Sequence, residues 1–124
     1  MELAAIPDRV DELLRNLRTR DLATAGTPPS VPVRVTEKGW PTGTNPLRNT
    51  DHSPHRQAEV LDRVIRTVHG LRPELNITHY VLFGLPDANS SKADPFHRFG
   101  IMRDDYSPEQ AYATFRSLIE ELAG

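Results

Sequence analysis

A chain of 124 residues is one domain's worth of sequence, enough for a modest core and too short for two. Its 15 basic residues against 17 acidic leave a net charge of -2, so no overall basic field recommends nucleic acid or an anionic membrane as partner. The absence of cysteine excludes a disulfide framework, a thiolate nucleophile and a thiolate metal site. No apolar run approaches the roughly 18 to 20 residues of a membrane span, and the start "MELAAIPDRVDELL" lacks the basic-then-apolar order of a signal peptide. The expectation is a soluble chain without an export signal, cytoplasmic as given, and no group of residues calls for a cofactor.

In chain order, "IPDRVDELLRNLRTR" places Ile6, Val10, Leu13, Leu14 and Leu17 three or four apart, with Pro7 in the first turn, and predicts an amphipathic helix from Ile6 to about Arg20. "AGTPPSVP" breaks it, and "VPVRVT" up to Glu37 reads as a short β-branched strand. Residues 38–53, rich in Gly, Pro, Asn and Asp, form a loop longer than the usual 4 to 6 residues or so. Ser53 and Pro54 open a helix as N-cap and first-turn proline, with Val60, Leu61, Val64, Ile65 and Val68 on its apolar face; Gly70 and Pro73 are expected to end it. "NITHYVLFGL", residues 76–85, is the strongest strand, and its run Tyr80 to Phe83 suits a strand covered on both faces. A second long loop leads to a last helix opened by "SPEQ", a Ser-x-x-Gln capping box, with Ala111, Phe115, Leu118, Ile119 and Leu122 buried.

The order helix, strand, helix, strand, helix predicts an α/β fold with parallel strands joined by helical crossovers. Two parallel strands cannot cover their own edges or bury three helices, so the 124 residues are expected to be a single partial domain, a slice of a larger α/β unit. In such folds the loops at the C-terminal ends of strands build the site, and here these are the two long loops.

The chemistry centres on "RVTEKGWPTG". A glutamate at a strand's C-terminal end beside an aromatic is what a retaining glycosidase asks of its nucleophile, with an apolar wall for a sugar face. "VRVTEKGWPTG" resembles the segment around the seventh strand of clan A glycoside hydrolases, eight-stranded (β/α)8 TIM barrels whose nucleophile is the glutamate ending that strand. "ITHYVLFGLPDANSSKADPFHRFGIMRDDYSPEQAYATFRSLIEEL" resembles the eighth strand, its loop and the closing helix. The resemblance covers almost the whole chain. Its best points are Glu37-x-Gly39-Trp40-Pro41-Thr42, Gln57 in the next helix, and Phe99-Gly100 leading to Asp104, Ser107-Pro108 and Ala111.

The resemblance implies Glu37 as nucleophile, Trp40 bordering a sugar site, and His79, Phe83 and Asp87 lining or bracing the pocket, with carbohydrate as the partner. The sequence departs from the family's pattern in three places. The tryptophan many members carry on the eighth strand is absent, leaving Phe83 or Tyr80 as substitutes. Glu109-Gln110 stands where Lys-Pro is usual, and the Asn-Glu pair that carries the acid/base glutamate occurs nowhere. Since retaining hydrolysis needs two carboxyl groups roughly 5 to 5.5 Å apart, the expectation is a chain that carries the nucleophile but is not active alone.

Plainer roles stand beside these. Trp40 serves as packing and Asp87 as the anchor of an Asx-turn. His52, His55 and His97 would suit zinc, but His52 and His55 straddle a helix start, and a metal site is set aside. Two other function classes stay open: a non-catalytic carbohydrate-binding remnant, and an assembly module that completes a barrel with copies of itself or with the missing barrel half.

Overall fold

The computed structural model describes residues 2–47 and 50–123, so Arg48 and Asn49 of the first long loop lie outside it. A 3-10 turn, Leu3–Ala5, leads into helix α1, Ile6–Asn16, which continues through a π-helical turn, Leu17–Asp21, into the short helix α2, Leu22–Thr24. The helical segment thus runs past Arg20. Its extension is held by the Arg18 guanidinium, which donates to the Leu75 carbonyl at 2.8 and 3.2 Å and to the Pro29 carbonyl at 3.1 Å. Gly26, at φ +73°, ends it. Ile6 and Leu14 are buried, Val10 packs against them, and Leu13 is 70% exposed, so the apolar stripe is narrower than the periodicity implies.

Strands β1, Val33–Lys38, and β2, Ile77–Leu82, pair in parallel and are joined by helix α3, Pro54–Leu75. Ser53 caps α3 by accepting the Arg56 N–H at 3.1 Å. The expectation that Gly70 and Pro73 end this helix is corrected: it runs to Leu75 and stops at Asn76, which is left-handed at φ 51°. Proline cannot donate to the carbonyl four residues back, and here the Arg72 side chain supplies that donor, reaching the His69 carbonyl at 2.6 Å. Val68 and Leu75 are buried and Leu71 packs beside them, so the apolar stripe carries the helix through the proline.

Helix α4, Gln110–Leu122, begins two residues later than the capping box implies, with Glu109 instead of Ser107 at the N-cap position. Ser107 does not cap it; its hydroxyl donates to Asp105 at 2.6 Å, and an isolated bridge between Met102 and Pro108 keeps the approach extended. Ala111 and Leu118 are buried, but Ile119 is 51% exposed.

Helices α1, α3 and α4 pack with the strands through two cores. Ile6, Leu14, Val60, Val64, Val68, Leu75 and Ile77 form one core between α1, α3 and the strands, with Val33, Val35 and Tyr80 packed on it. Ala58, Leu61, Ile65, Ile101, Ala111 and Leu118 form a second between α3, α4 and the long loop, with Tyr80 and Leu82 packed on that. Arg15 joins α1 to α3 through Glu74, and Arg66 joins α3 to α4 through Glu121. The sheet face away from these cores is open: Val81 is 50% and Phe83 48% exposed, so β2 is covered on one face, not two. Its apolar run serves the helices through Tyr80 and Leu82 and leaves the alternate residues bare.

Candidate functional site

The site lies at the C-terminal edge of the sheet, where both long loops emerge. Glu37 reaches it through an irregularity in β1. Val35 is paired with Tyr80 and Lys38 with Leu82, so β1 takes three steps where β2 takes two. The extra residue is a bulge, and it leaves the two successive residues Thr36 and Glu37 exposed. Simple alternation would put Glu37 on the same face as Val33 and Val35, under the helices. The bulge turns it to the open face instead. Among the described residues, the Glu37 side chain has no hydrogen-bond or ion-pair partner.

Phe83 follows Leu82 by one residue and so shares that open face. Its ring stands edge-on to Phe99 at 5.4 Å between centroids, and its N–H donates to the Lys38 carbonyl at 3.1 Å, beside Glu37. The Phe83–Gly84 peptide is cis. His79 is also exposed but pairs opposite Arg34, three residues and roughly 10 Å before Leu82 along the strand. It lies on a different groove of about 320 Å³ between α3, α4 and β2, lined by Ile65, Val68, Phe115 and Leu122 among others. The register therefore sets the Phe83 backbone against Lys38, the residue after Glu37, and sets His79 against Arg34 further back along the strand. Tyr80, the other substitute for a stacking ring, is turned toward the helices and packs on both cores.

Trp40 is half-buried against the first core, tilted by 31° on the His52 ring at 5.3 Å, with its indole N–H buried and unpartnered among the described residues. Its carbonyl accepts from Gln57 Nε2 at 2.9 Å, and the same amide group donates to the Gly100 carbonyl at 2.8 Å. Gln57 is fully buried, so one side chain at the start of α3 ties both loops to the helix. Backbone bonds from Thr42 to Arg98 (2.9 Å) and from Thr44 to Ala93 (2.9 Å) lace the loops directly.

Asp87 is buried at 4% exposure and spends both oxygens inside the second loop, accepting the Gly100 N–H at 2.9 Å and the Ser90 hydroxyl at 2.8 Å. Ser90 Oγ in turn accepts the Asp104 N–H at 2.8 Å. Asp87 is a brace behind the site and presents no oxygen to the open face. Behind it, burial pushes the Glu109 carboxyl up from its ordinary range, the Asp87 charge adds to this, and Arg98 and Arg103 oppose it. The roles of Ser90, Arg98 and Glu109 had no signal in the sequence, because their partners are set by how a long irregular loop folds back on itself.

The histidines do not assemble a centre. His52 Nδ1 lies 3.1 Å from the Pro41 carbonyl, and His55 is 3.4 Å from Glu59. Among the described residues no group of three or more His, Cys, Asp or Glu side chains could hold a metal ion. Nor, among them, is any helix long and apolar enough to cross a membrane. Chemically, the edge offers the exposed Glu37 carboxyl group, without a side-chain partner among the described residues, next to the Lys38 carbonyl that the Phe83 N–H meets, on loops laced to each other and to α3.

No protein-family profile matches the chain, and no curated protein sequence matches it. Solved structures do. The fold is similar to part of a GH2 β-galacturonidase from Eisenbergiella tayi bound to galacturonate (TM-score 0.71, 18% identity), covering 94% of this chain and 21% of that one. It is also similar to a β-glucuronidase from Ruminococcus gnavus (0.63, 21% identity, 92% and 19% covered). A third is the β-glucuronidase of Bifidobacterium dentium complexed with coumarin-3-O-glucuronide (0.59, 22% identity, 93% and 18% covered). The chain spans about a fifth of the length of these structures, and what it shares with that fifth is the fold of part of a glycoside hydrolase.

Proposed function

We propose that the chain is the C-terminal portion of a (β/α)8 glycoside hydrolase barrel, around its last two strands, and that Glu37 is the nucleophile of a retaining mechanism. The observation that carries this reading is the bulge that turns Glu37, unpartnered, onto the open sheet face at the strand ends. A carboxylate there attacks the anomeric carbon as the glycosidic bond breaks and the aglycone leaves with a proton from the acid/base carboxyl group; water, deprotonated by that group, then cleaves the glycosyl-enzyme ester. Phe83 offers a ring face to the sugar, and the Trp40 loop borders it. With no Asn-Glu pair in the sequence, the acid/base carboxyl group comes from outside these 124 residues. Losing such help costs on the order of 10² to 10⁴ in rate, so the chain alone does not turn over glycosides. The open strand edges support completion of a barrel by further polypeptide.

The test compares the chain alone with the chain joined to the preceding barrel segment of the Ruminococcus gnavus β-glucuronidase, assayed on p-nitrophenyl β-glucuronide and β-galacturonide. The expected result is turnover by the folded fusion only, abolished by Glu37→Gly and restored by azide with a glycosyl azide as product. Turnover by a folded fusion that is indifferent to Glu37→Gly would sink the reading, as would hydrolysis by the pure 124-residue chain.

A further inference from the structure

The direction of Glu37 depends on one extra residue in β1, and extra residues in a ladder slip unless something pins them. A one-residue slip that removed the bulge would return Glu37 to the helix-covered face. What holds the bulge open is visible on either side of it. Before the bulge, Val35 is in register with Tyr80. After it, the Lys38 carbonyl accepts two donors, the Phe83 N–H at 3.1 Å and the Tyr80 hydroxyl at 3.1 Å. Tyr80 therefore touches both ends of the irregular stretch: its backbone fixes the lower register, and its phenol reaches across the extra residue to the carbonyl that follows Glu37.

The ring is suited to this. It packs against both cores, so it cannot swing away without opening contacts to α1, α3 and α4. Burial holds the phenol above its ordinary range, so it remains a donor at all working pH values. A phenylalanine would pack as well, which leaves the hydroxyl with a task that packing does not explain.

We propose that Tyr80 is a positioning residue for Glu37, a brace whose hydroxyl locks the bulge through the Lys38 carbonyl. The inference rests on Glu37 being the nucleophile only for its catalytic consequence; the brace itself is a property of the two strands.

The experiment is Tyr80→Phe, read in two ways. In the 124-residue chain, amide exchange is followed residue by residue. The expected result is about fivefold to tenfold faster exchange at Phe83 and through Thr36 to Gly39, the scale of one lost hydrogen bond, with α1 and α4 unchanged. Replacing Tyr80 by 4-aminophenylalanine, which restores a donor at the same place, is expected to restore protection. Unchanged exchange at these positions, or a uniform loss across the chain, would overturn the proposal. In the barrel fusion, Tyr80→Phe is expected to lower kcat about tenfold to a hundredfold with KM held. The azide-rescued rate of Glu37→Gly should not fall when Tyr80→Phe is added, because azide needs no aimed carboxylate; a purely structural role would lower both. Full turnover in Tyr80→Phe beside an inactive Glu37→Gly would sink the brace alone, whereas an active Glu37→Gly would sink the nucleophile reading and leave the exchange result to decide the brace.

Discussion

Gly39 and Phe83 meet backbone to backbone: a Cβ on residue 39 would overlap the Phe83 carbonyl oxygen and press on the Phe99 ring. The two strands leave the sheet side by side at this crossing, one residue past Lys38 on β1 and one past Leu82 on β2. Only a glycine lets the Trp40 loop start so close to the exit of β2. Gly39→Ala is expected to cost about 1 to 3 kcal/mol, the usual toll of overpacking, and to splay the loop ends. Urea unfolding measures the loss, and a change under about 0.5 kcal/mol, the range of an ordinary surface substitution, would contradict it.

Gln57 ties the Trp40 and Gly100 carbonyls to α3 from a fully buried position. Gln57→Met keeps the volume and removes both donors. Each carbonyl left unpaired is expected to cost about 1 to 3 kcal/mol. The denaturation midpoint should fall with the slope unchanged, and amide exchange in residues 39–44 should rise before that in α1 does. A Gln57→Met chain as stable as the wild type would show that neither bond matters.

Glu37 is exposed and, among the described residues, without a side-chain partner. Glu37→Gln is therefore expected to leave stability within about 0.5 kcal/mol while abolishing turnover in the completed barrel. If the site only binds sugar, affinity survives Glu37→Gln and is lost in Trp40→Ala, which titration calorimetry with a glycoside distinguishes.

Glu109 supplies a pH dependence with a definite sign. Its folded-state pKa is raised, first by burial and then by Asp87, so the folded chain holds a proton that the unfolded chain has already released. Stability from this group is present below the ordinary carboxylate range and is lost as pH rises through the raised value. Glu109→Gln removes the slope: the variant is expected to melt higher than the wild type at pH 7 and about equal to it at pH 4. A melting difference independent of pH would contradict the assignment.

Much of the fold was legible in the sequence because it is local. The 3.6-residue spacing of Val60, Leu61, Val64 and Val68 and the Ser53-Pro54 start are written along one stretch of chain, and so is the β-branched run into Glu37. The parallel pairing follows from alternation of helix and strand. The errors fell where neighbouring groups made bonds that spacing and propensity do not encode. The Arg72 side chain let α3 pass Pro73, and the Met102–Pro108 bridge kept Ser107 from capping α4.

The sequence by itself placed a glutamate at a strand end beside aromatic residues, and the elements around it. Whether that glutamate faces the helices or the open edge was beyond it, since alternation alone points Glu37 the wrong way. That direction is a matter of register between β1 and β2, whose paired residues lie more than forty positions apart, and register is fixed only when both strands, the Tyr80 ring and the two cores are packed together. The same holds for Asp87, whose buried oxygens are claimed by Gly100 and Ser90 once the loop has folded back, and for His79, which the pairing with Arg34 sets away from the site it was expected to line.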